Sequence, residues 1–267
     1  MERLNTNSAR HHEAHDTLSD GVGSLADRQH LGEVPDKHPA AITRMFDAIA
    51  PRYDFLNHLL SAGLDYRWRA RAVRALGLTG RELLLDVCTG TADLAIAASR
   101  AAPDGIHTIG VDASPAMLAV AERKIERAEL AARVRLVRAD ATRLPVPSAS
   151  VDGVTVAFGI RNVQDLSRAC HEMCRALRPG GRLVVLEFGI PRLPGIRTIY
   201  LSYFRYVLPV IGRLISRDRG AYAYLPASVD AFPEPDEFAR FLQGVGFSGV
   251  SFVPLTFGIV NLYTAIK

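Results

Sequence analysis

From residue 81 onward, short apolar runs alternate with stretches in which apolar residues recur every three or four positions. The short runs indicate buried strands, and the periodic stretches indicate helices. Strands are predicted at 83–88, 106–111, 134–137, 151–158 and 182–188, and helices at 91–102, 115–128 and 163–177. Strands that alternate with helices are typical of a parallel sheet covered by helices on both faces. The sequence therefore predicts a Rossmann-like α/β domain.

The N-terminal part of the chain follows other patterns. Residues 1–38 are rich in His, Asp, Ser and Gly and have no apolar period, so they predict a disordered tail. Residues 39–80 predict an N-terminal helical cap. One cap helix starts near Ala41 and ends or kinks at Pro51, and a second runs from about 65 to 75.

The main domain is predicted to span residues 81–267, with a helical insertion over 191–230. Within the insertion, residues 195–217 form one long helical, aromatic and basic stretch. A further helix and an antiparallel strand pair follow, at 234–245, 249–255 and 258–266. These strands bring the predicted sheet to seven, mostly parallel with an antiparallel edge hairpin.

Composition narrows the function. A formal charge of +4 and a pI near 9.1 are only mildly basic, so we expect no nucleic-acid partner. The three cysteines lack the partners of a zinc site and are expected to be buried small hydrophobic residues, and no metal is predicted. Neither a signal peptide nor a stretch of eighteen apolar residues is visible, so we expect a cytoplasmic protein.

Candidate ligand-binding residues lie where the predicted strands end. The first strand leads into a turn with Gly90, the second ends at Asp112, and the third ends at Asp140 and Ala141. In open α/β sheets, ligands bind at the carboxyl ends of the strands. One glycine does not make the G-x-G-x-x-G turn of a dinucleotide site. Together these residues predict an S-adenosylmethionine site. The Gly90 turn would contact the methionine part, Asp112 would accept from two ribose hydroxyls, and Asp140 with Ala141 would contact the adenine. Taken singly, Asp112 also fits a helix N-cap and Asp140 a turn.

Several longer strings point the same way. They are Met45–Asp54, Leu85–Asp93, Gly110–Ser114, Phe158–Asn162, Leu177–Gly181 and Ala223–Pro226. In these strings the chain resembles the ubiquinone/menaquinone biosynthesis C-methyltransferases of the UbiE/MenG type over residues 42–267. The string Phe158-Gly-Ile-Arg-Asn162 is the most specific to that family. The resemblance implies the class I S-adenosylmethionine-dependent methyltransferase fold.

The resemblance also implies a cofactor site and a reaction. Cofactor contacts are implied for four residues: Thr91, Asp112, Asp140 and Ala141. Two positions depart from the family pattern, since Ala92 replaces a frequent glycine and Ala157 stands where many members have a serine that helps to hold the cofactor. The implied reaction is methylation of a ring carbon of a polyprenyl quinol in menaquinone or ubiquinone biosynthesis, and we favour demethylmenaquinol.

Three residues are candidates for catalysis. Arg161 follows the fourth strand, where a permanently charged guanidinium could hold the developing phenolate; the alternative is a salt bridge to the N-terminal helices. Tyr53 could hydrogen-bond the quinol and Asp54 could accept a proton through water. The alternative for this pair is a helix terminus with an Asp cap.

The insertion bears on the substrate and its location. Residues 191–220 contain six arginines among many aromatic and aliphatic residues. A helix of this kind can lie at an anionic membrane surface, so residues 195–219 are predicted to bind the inner face of the cell membrane reversibly. The alternative is a lid helix packed on the core. Other open alternatives are a different phenolic or lipid substrate, a non-catalytic protein that kept the fold, and a homo-oligomer.

Overall fold

The computed structural model describes residues 37–102, 105–207 and 220–267. Seven strands in this part of the chain form one sheet in the order β3-β2-β1-β4-β5-β7-β6. Their bounds are β1 Leu83–Val87, β2 His107–Asp112, β3 Val134–Arg138, β4 Val151–Ala157, β5 Leu177–Phe188, β6 Ser248–Leu255 and β7 Val260–Ile266. Neighbouring strands are parallel except at β7, which is antiparallel to β5 and to β6. The predicted mostly parallel sheet with an antiparallel edge is confirmed.

Nine α-helices surround the sheet in the described residues. They are α1 Pro39–Ile49, α2 Tyr53–Leu60, α3 Leu64–Leu76, α4 Asp93–Ala101, α5 Pro115–Arg127, α6 Leu166–Ala176, α7 Pro194–Ser202, α8 Gly220–Asp230 and α9 Pro235–Val245. None of them is long and apolar enough to cross a membrane. The tail predicted over residues 1–38, apart from its last two residues, lies outside the described residues, and so do residues 208–219 of the insertion.

Alternate residues of the strands supply the two halves of the core. Leu85 of β1 packs in the cluster that holds Cys170 and Phe238, from α6 and α9. Its neighbour Leu84 packs on the opposite face, in the cluster with Trp68 of α3. This two-residue period follows from the pleat of a strand, which turns successive side chains to opposite faces. The sheet is therefore covered on both faces, and its ends are the places left for a ligand.

The helical cap is fastened to the start of α5. Ser114 caps α5, its hydroxyl accepting from the backbone N–H of Met117. Asp47 of α1 accepts from the Ser114 hydroxyl at 2.6 Å and from the N–H of Ala116 at 3.2 Å. A carboxylate at a helix N-terminus also interacts favourably with the helix dipole. These contacts hold α1 across the carboxyl ends of the strands.

Several predicted boundaries were wrong. The cap contains a helix that was not predicted, α2, because Pro51 introduces only a short 3-10 turn at 50–52 before helical geometry resumes. Strand β5 starts at Leu177 and continues through the Pro-Gly-Gly segment, with a register shift in its pairing to β4. In the insertion, by contrast, the described residues are helical as predicted, with an α-helix to Ser202 and a π-turn at 203–207. The remainder of the predicted helix, 208–217, lies outside the described residues.

Candidate active site

The turn after β1 is built from left-handed residues. Cys88, Gly90 and Ala92 have φ values of 54°, 56° and 66°. Ala92 is fully buried, so its Cβ is accommodated at a position where a glycine would avoid the cost of about 1 kcal/mol or more of left-handed geometry. Gly159 lies against this turn, and a Cβ there would overlap that of Cys88. The backbone of the turn thus lies close to the loop after β4.

Asp112 ties this turn to the end of β2. Its Oδ2 accepts from the N–H of Gly90 at 2.8 Å, and its Oδ1 accepts from the N–H of Ser114 at 2.9 Å. Burial raises the pKa of Asp112, and these two backbone donors oppose the rise. Each carboxylate oxygen has a further lone pair with which to accept from a ligand hydroxyl.

A cavity of about 670 Å³, here called the strand-end cavity, opens beside Asp112. Five of the predicted cofactor residues line it: Gly90, Asp112, Asp140, Ala141 and Ala157. Asp140 also accepts from the N–H of Thr142, so it shapes its own turn. Part of the wall was not predicted. It includes Phe46 of α1 and Asn162, whose Oδ1 is buried without a partner among the described residues. The Phe-Gly-Ile-Arg-Asn string was the signal that could have identified Asn162.

Thr91 and Asp54 lie elsewhere. The Thr91 hydroxyl donates to Asp54 Oδ1, and Lys124 of α5 donates to Asp54 Oδ2 at 2.6 Å. Lys124 also pairs with Asp93 of α4. Neither Thr91 nor Asp54 lines the strand-end cavity. The geometry therefore does not support Asp54 as a proton acceptor or the Thr91 side chain as a cofactor contact; together with Lys124 they fasten α2 to α4 and α5.

A second cavity of about 140 Å³, here called the cap cavity, lies between the three helices of the cap and the insertion. Its wall is mostly apolar and aromatic. Phe46, Tyr53 and Phe158 line both cavities, so the two cavities adjoin at these three residues, which are here called the partition. Burial raises the pKa of Tyr53, which therefore stays a neutral phenol that hydrogen-bonds with Asn57. The structure thus brings the predicted residue Tyr53 to the boundary of both cavities.

Arg161 lines the cap cavity and is 6% exposed. Its Nη1 pairs with Glu187 Oε1 at 2.8 Å and also donates to the carbonyl of Phe158, and its Nε donates to Ser228 Oγ at 3.3 Å. Arg161 therefore has an ion pair, but with the end of β5 rather than with the N-terminal helices.

Glu187 was not predicted. It is fully buried at the end of β5, where it accepts from the N–H groups of Arg161 and Phe188 as well as from the guanidinium. A carboxylate inside an otherwise apolar strand was the signal that could have identified it, since acidic residues are rarely buried without a partner.

Comparison with known proteins identifies the family of the chain. The family model described as the ubiE/COQ5 methyltransferase family matches residues 34–267. The chain belongs to the ubiE/COQ5 methyltransferase family. A demethylmenaquinone methyltransferase from Thermus thermophilus is 48% identical over 82% of this chain and 98% of its own length. The UbiE C-methyltransferase of Geobacter sulfurreducens is 46% identical over 85% of this chain and 88% of its own.

Solved structures agree at the level of the fold. A methyltransferase from Thermotoga maritima, titled as a possible histamine N-methyltransferase, has a TM-score of 0.58 at 17% identity and covers 85% of this chain and 99% of its own. A methyltransferase from Aquifex aeolicus has a TM-score of 0.55 at 18% identity and covers 74% of this chain and 89% of its own. Both are S-adenosylmethionine-dependent methyltransferases by title, which confirms the class I fold of this family member.

The first prediction concerns Asp112. Asp112→Ala should weaken S-adenosylmethionine binding by about 1.5–3 kcal/mol, the range for hydrogen bonds to a charged group. Calorimetry measures this directly. Because burial raises the pKa of Asp112, wild-type affinity should also fall on acidification, and should begin to fall at a higher pH than an ordinary aspartate would give.

Asp112→Asn is the control for that pH dependence, because an amide does not titrate in this range. An affinity unchanged in Asp112→Ala would show that the ribose lies elsewhere.

The second prediction concerns the cap. Asp54→Asn should loosen α1 and α2 and lower the free energy of unfolding by about 0.5–1.5 kcal/mol. The effect is modest because the ion pair with Lys124 is partly exposed to solvent. Hydrogen exchange over residues 39–60 should accelerate, while methyl transfer in a single turnover at saturating ligands should keep its rate. Asp236→Asn, which removes an exposed pair with Arg192, is the matched control. A collapse of the single-turnover rate with unchanged exchange would return Asp54 to the chemistry.

Proposed function

We propose that this protein transfers the methyl group of S-adenosylmethionine to a ring carbon of a polyprenyl quinol, with demethylmenaquinol as the substrate and menaquinol as the product. The observation that carries the proposal is the shared partition of Phe46, Tyr53 and Phe158. At these residues the strand-end cavity adjoins the less polar cap cavity, whose wall includes the guanidinium of Arg161. The strand-end cavity suits the charged methyl donor, and the cap cavity suits an apolar aromatic acceptor.

The residues of the strand-end cavity fit S-adenosylmethionine. Asp112 offers carboxylate lone pairs to ribose hydroxyls, and the left-handed turn at Gly90 brings backbone close to the ligand. Asp140, Ala141 and the unpartnered Oδ1 of Asn162 provide polar groups for the remainder. Ala157 lines the same cavity but has no polar side-chain group with which to hold the cofactor. No three His, Cys, Asp or Glu side chains of the described residues are arranged to hold a metal ion.

Arg161 is the residue proposed to activate the acceptor. When bound, S-adenosylmethionine supplies a methyl group on a positively charged sulfur. The acceptor carbon becomes nucleophilic when the neighbouring phenol loses its proton, and an unperturbed phenol has a pKa near ~10. A guanidinium that is always charged stabilises the phenolate and lowers that pKa. Overall, the sulfur–methyl bond breaks as the carbon–carbon bond forms, and the ring hydrogen leaves as a proton.

The naphthoquinol is favoured by the names of relatives. Three relatives with 41–48% identity are demethylmenaquinone methyltransferases, from Thermus thermophilus, Deinococcus radiodurans and Bacteroides fragilis. The Geobacter relative has a name that covers both quinones. The deciding experiment is quinone extraction from a deletion strain. Accumulated demethylmenaquinone would support the proposal, whereas an unchanged quinone pool would favour a different phenol or lipid substrate.

The third prediction concerns Arg161. Arg161→Ala should lower kcat about 10²–10³-fold with S-adenosylmethionine affinity nearly unchanged, and Arg161→Lys should recover only part, because an ammonium lacks the planar fork. The alanine variant should regain activity as the pH approaches the pKa of the free quinol, because solvent then supplies the phenolate.

Stability needs a separate control, because Arg161→Ala leaves the buried carboxylate of Glu187 without its cation. This should lower the free energy of unfolding by about 3–5 kcal/mol. The double variant Arg161→Met with Glu187→Gln removes both charges and should restore most of the melting temperature without restoring the rate. A double variant as active as the wild type would remove Arg161 from the mechanism.

The fourth prediction concerns membrane contact, which we propose for the insertion. The described part of the insertion buries Tyr200 and Phe204 and exposes Ile199 by 72% and Tyr206 by 64%, with Arg197 and Arg205 also exposed. Arginines near an anionic surface contribute on the order of 1 kcal/mol each, and salt weakens the attraction.

We therefore expect flotation with anionic vesicles at low salt, and a loss of flotation when Arg197 and Arg205 are both changed to Glu. Arg100→Glu, an exposed charge reversal on α4, is the control. Recovery of the wild type away from the vesicles at both low and high salt would contradict the prediction.

A further inference from the structure

Two tyrosine hydroxyls in the cap cavity have no hydrogen-bond partner among the described residues. They belong to Tyr200 of α7 and Tyr224 of α8, and both oxygen atoms are buried. A buried hydroxyl without a partner costs about 1–3 kcal/mol, so native proteins rarely retain one without a reason. Here two such hydroxyls line one small apolar cavity.

Packing alone does not account for these hydroxyls, because phenylalanine would fill the same space. Tyr203, which lines the same cavity, shows the contrast, since its hydroxyl donates to the carbonyl of Leu60 at 3.4 Å. Burial raises the pKa of Tyr224 to about 12 and that of Tyr200 further, so both stay neutral phenols able to donate and to accept.

The two hydroxyls share the cavity with Arg161. The charges of Arg161 and Glu187 act on both tyrosines, lowering and raising their pKa respectively. Arg161 lines the same cavity. Two unsatisfied hydroxyls and a guanidinium therefore share a cavity that is otherwise lined mainly by aromatic and aliphatic side chains. An apolar ring with oxygen substituents suits such a lining.

We propose that Tyr200 and Tyr224 bind the oxygens of the quinol ring and thereby select an acceptor with two ring oxygens. The proposal rests on the proposed function, because it names contacts of the same acceptor. In this arrangement Arg161 stabilises the oxygen next to the reacting carbon. The tyrosines fix the orientation of the ring, so that the reacting carbon faces the strand-end cavity. The tyrosines are binding residues and need no proton transfer of their own.

This role predicts opposite effects on activity and on stability. Tyr200→Phe and Tyr224→Phe should each lower kcat/KM for a short-chain prenylated 1,4-naphthoquinol about 10-fold, through the loss of one hydrogen bond. The melting temperature without ligand should stay the same or rise, because an unsatisfied buried hydroxyl has been removed. S-adenosylmethionine affinity, measured by calorimetry, should not change.

Tyr263→Phe is the matched control. Tyr263 is a tyrosine of β7 with 1% exposure that lines neither the strand-end cavity nor the cap cavity. This variant should leave kcat/KM for the quinol near the wild-type value. A melting temperature that falls in the Tyr200 and Tyr224 variants, with activity per folded molecule unchanged, would assign both hydroxyls a structural role and overturn the proposal.

A second probe tests whether the hydroxyls contact the quinol oxygens themselves. The probes are 2-prenyl-1-naphthol and 3-prenyl-1-naphthol, each of which lacks one oxygen of the quinol. Their binding affinities are compared, because the isomer without the oxygen next to the acceptor carbon has no activated carbon to methylate. Consider the isomer that lacks the oxygen bound by one of the tyrosines. Changing that tyrosine to Phe should not weaken the binding of this isomer, but it should weaken the binding of the other isomer as much as it weakens the binding of the quinol. Equal penalties with every acceptor would overturn the proposal. If the wild type methylates the quinol and both Phe variants are equally active, this inference alone is overturned. If the wild type methylates neither the quinol nor a naphthol, the proposed function is overturned as well.

Discussion

The buried ion pair of Arg161 and Glu187 determines the geometry around the cap cavity. Glu187 has no exposure at the end of β5, and a lone carboxylate there would be strongly destabilising. The guanidinium that neutralises it is in turn held by the Phe158 carbonyl and by Ser228. Loop, strand and insertion therefore meet at one guanidinium. The charge is positioned before any ligand arrives, so little reorganisation is needed when negative charge develops nearby.

The cap completes both cavities through contacts of a different kind. Asp47 and Asp54 connect α1 and α2 to α5, and these contacts are only partly buried. Contacts of this kind are individually weak, whereas the sheet beneath is covered on both faces by apolar side chains. Helices α1 and α2 are thus held to α5 by weak polar contacts, whereas α3 and the sheet are packed through the apolar core. This division suits a site that must admit two ligands.

The strand-end residues could be predicted because topology places them. Gly90, Asp112 and Asp140 lie at the ends of strands that the apolar pattern identifies or within three residues of them, and such ends meet at one edge of a sheet. Asp54 could not be placed in this way, since its partners Thr91 and Lys124 lie 37 and 70 residues away. The pairing of Arg161 with Glu187, 26 residues away, is also long-range, and no local period encodes it.

The shared partition has a thermodynamic consequence. Phe46 and Tyr53 belong to the walls of both cavities, and both come from the cap. A ligand that orders these side chains on one side prepares the wall on the other. By linkage, whatever factor the donor contributes to acceptor affinity, the acceptor contributes to donor affinity. The same rule applies after turnover: once the methyl has moved, the altered occupant on one side changes the retention of its neighbour, so that the release of the two products is a coupled event.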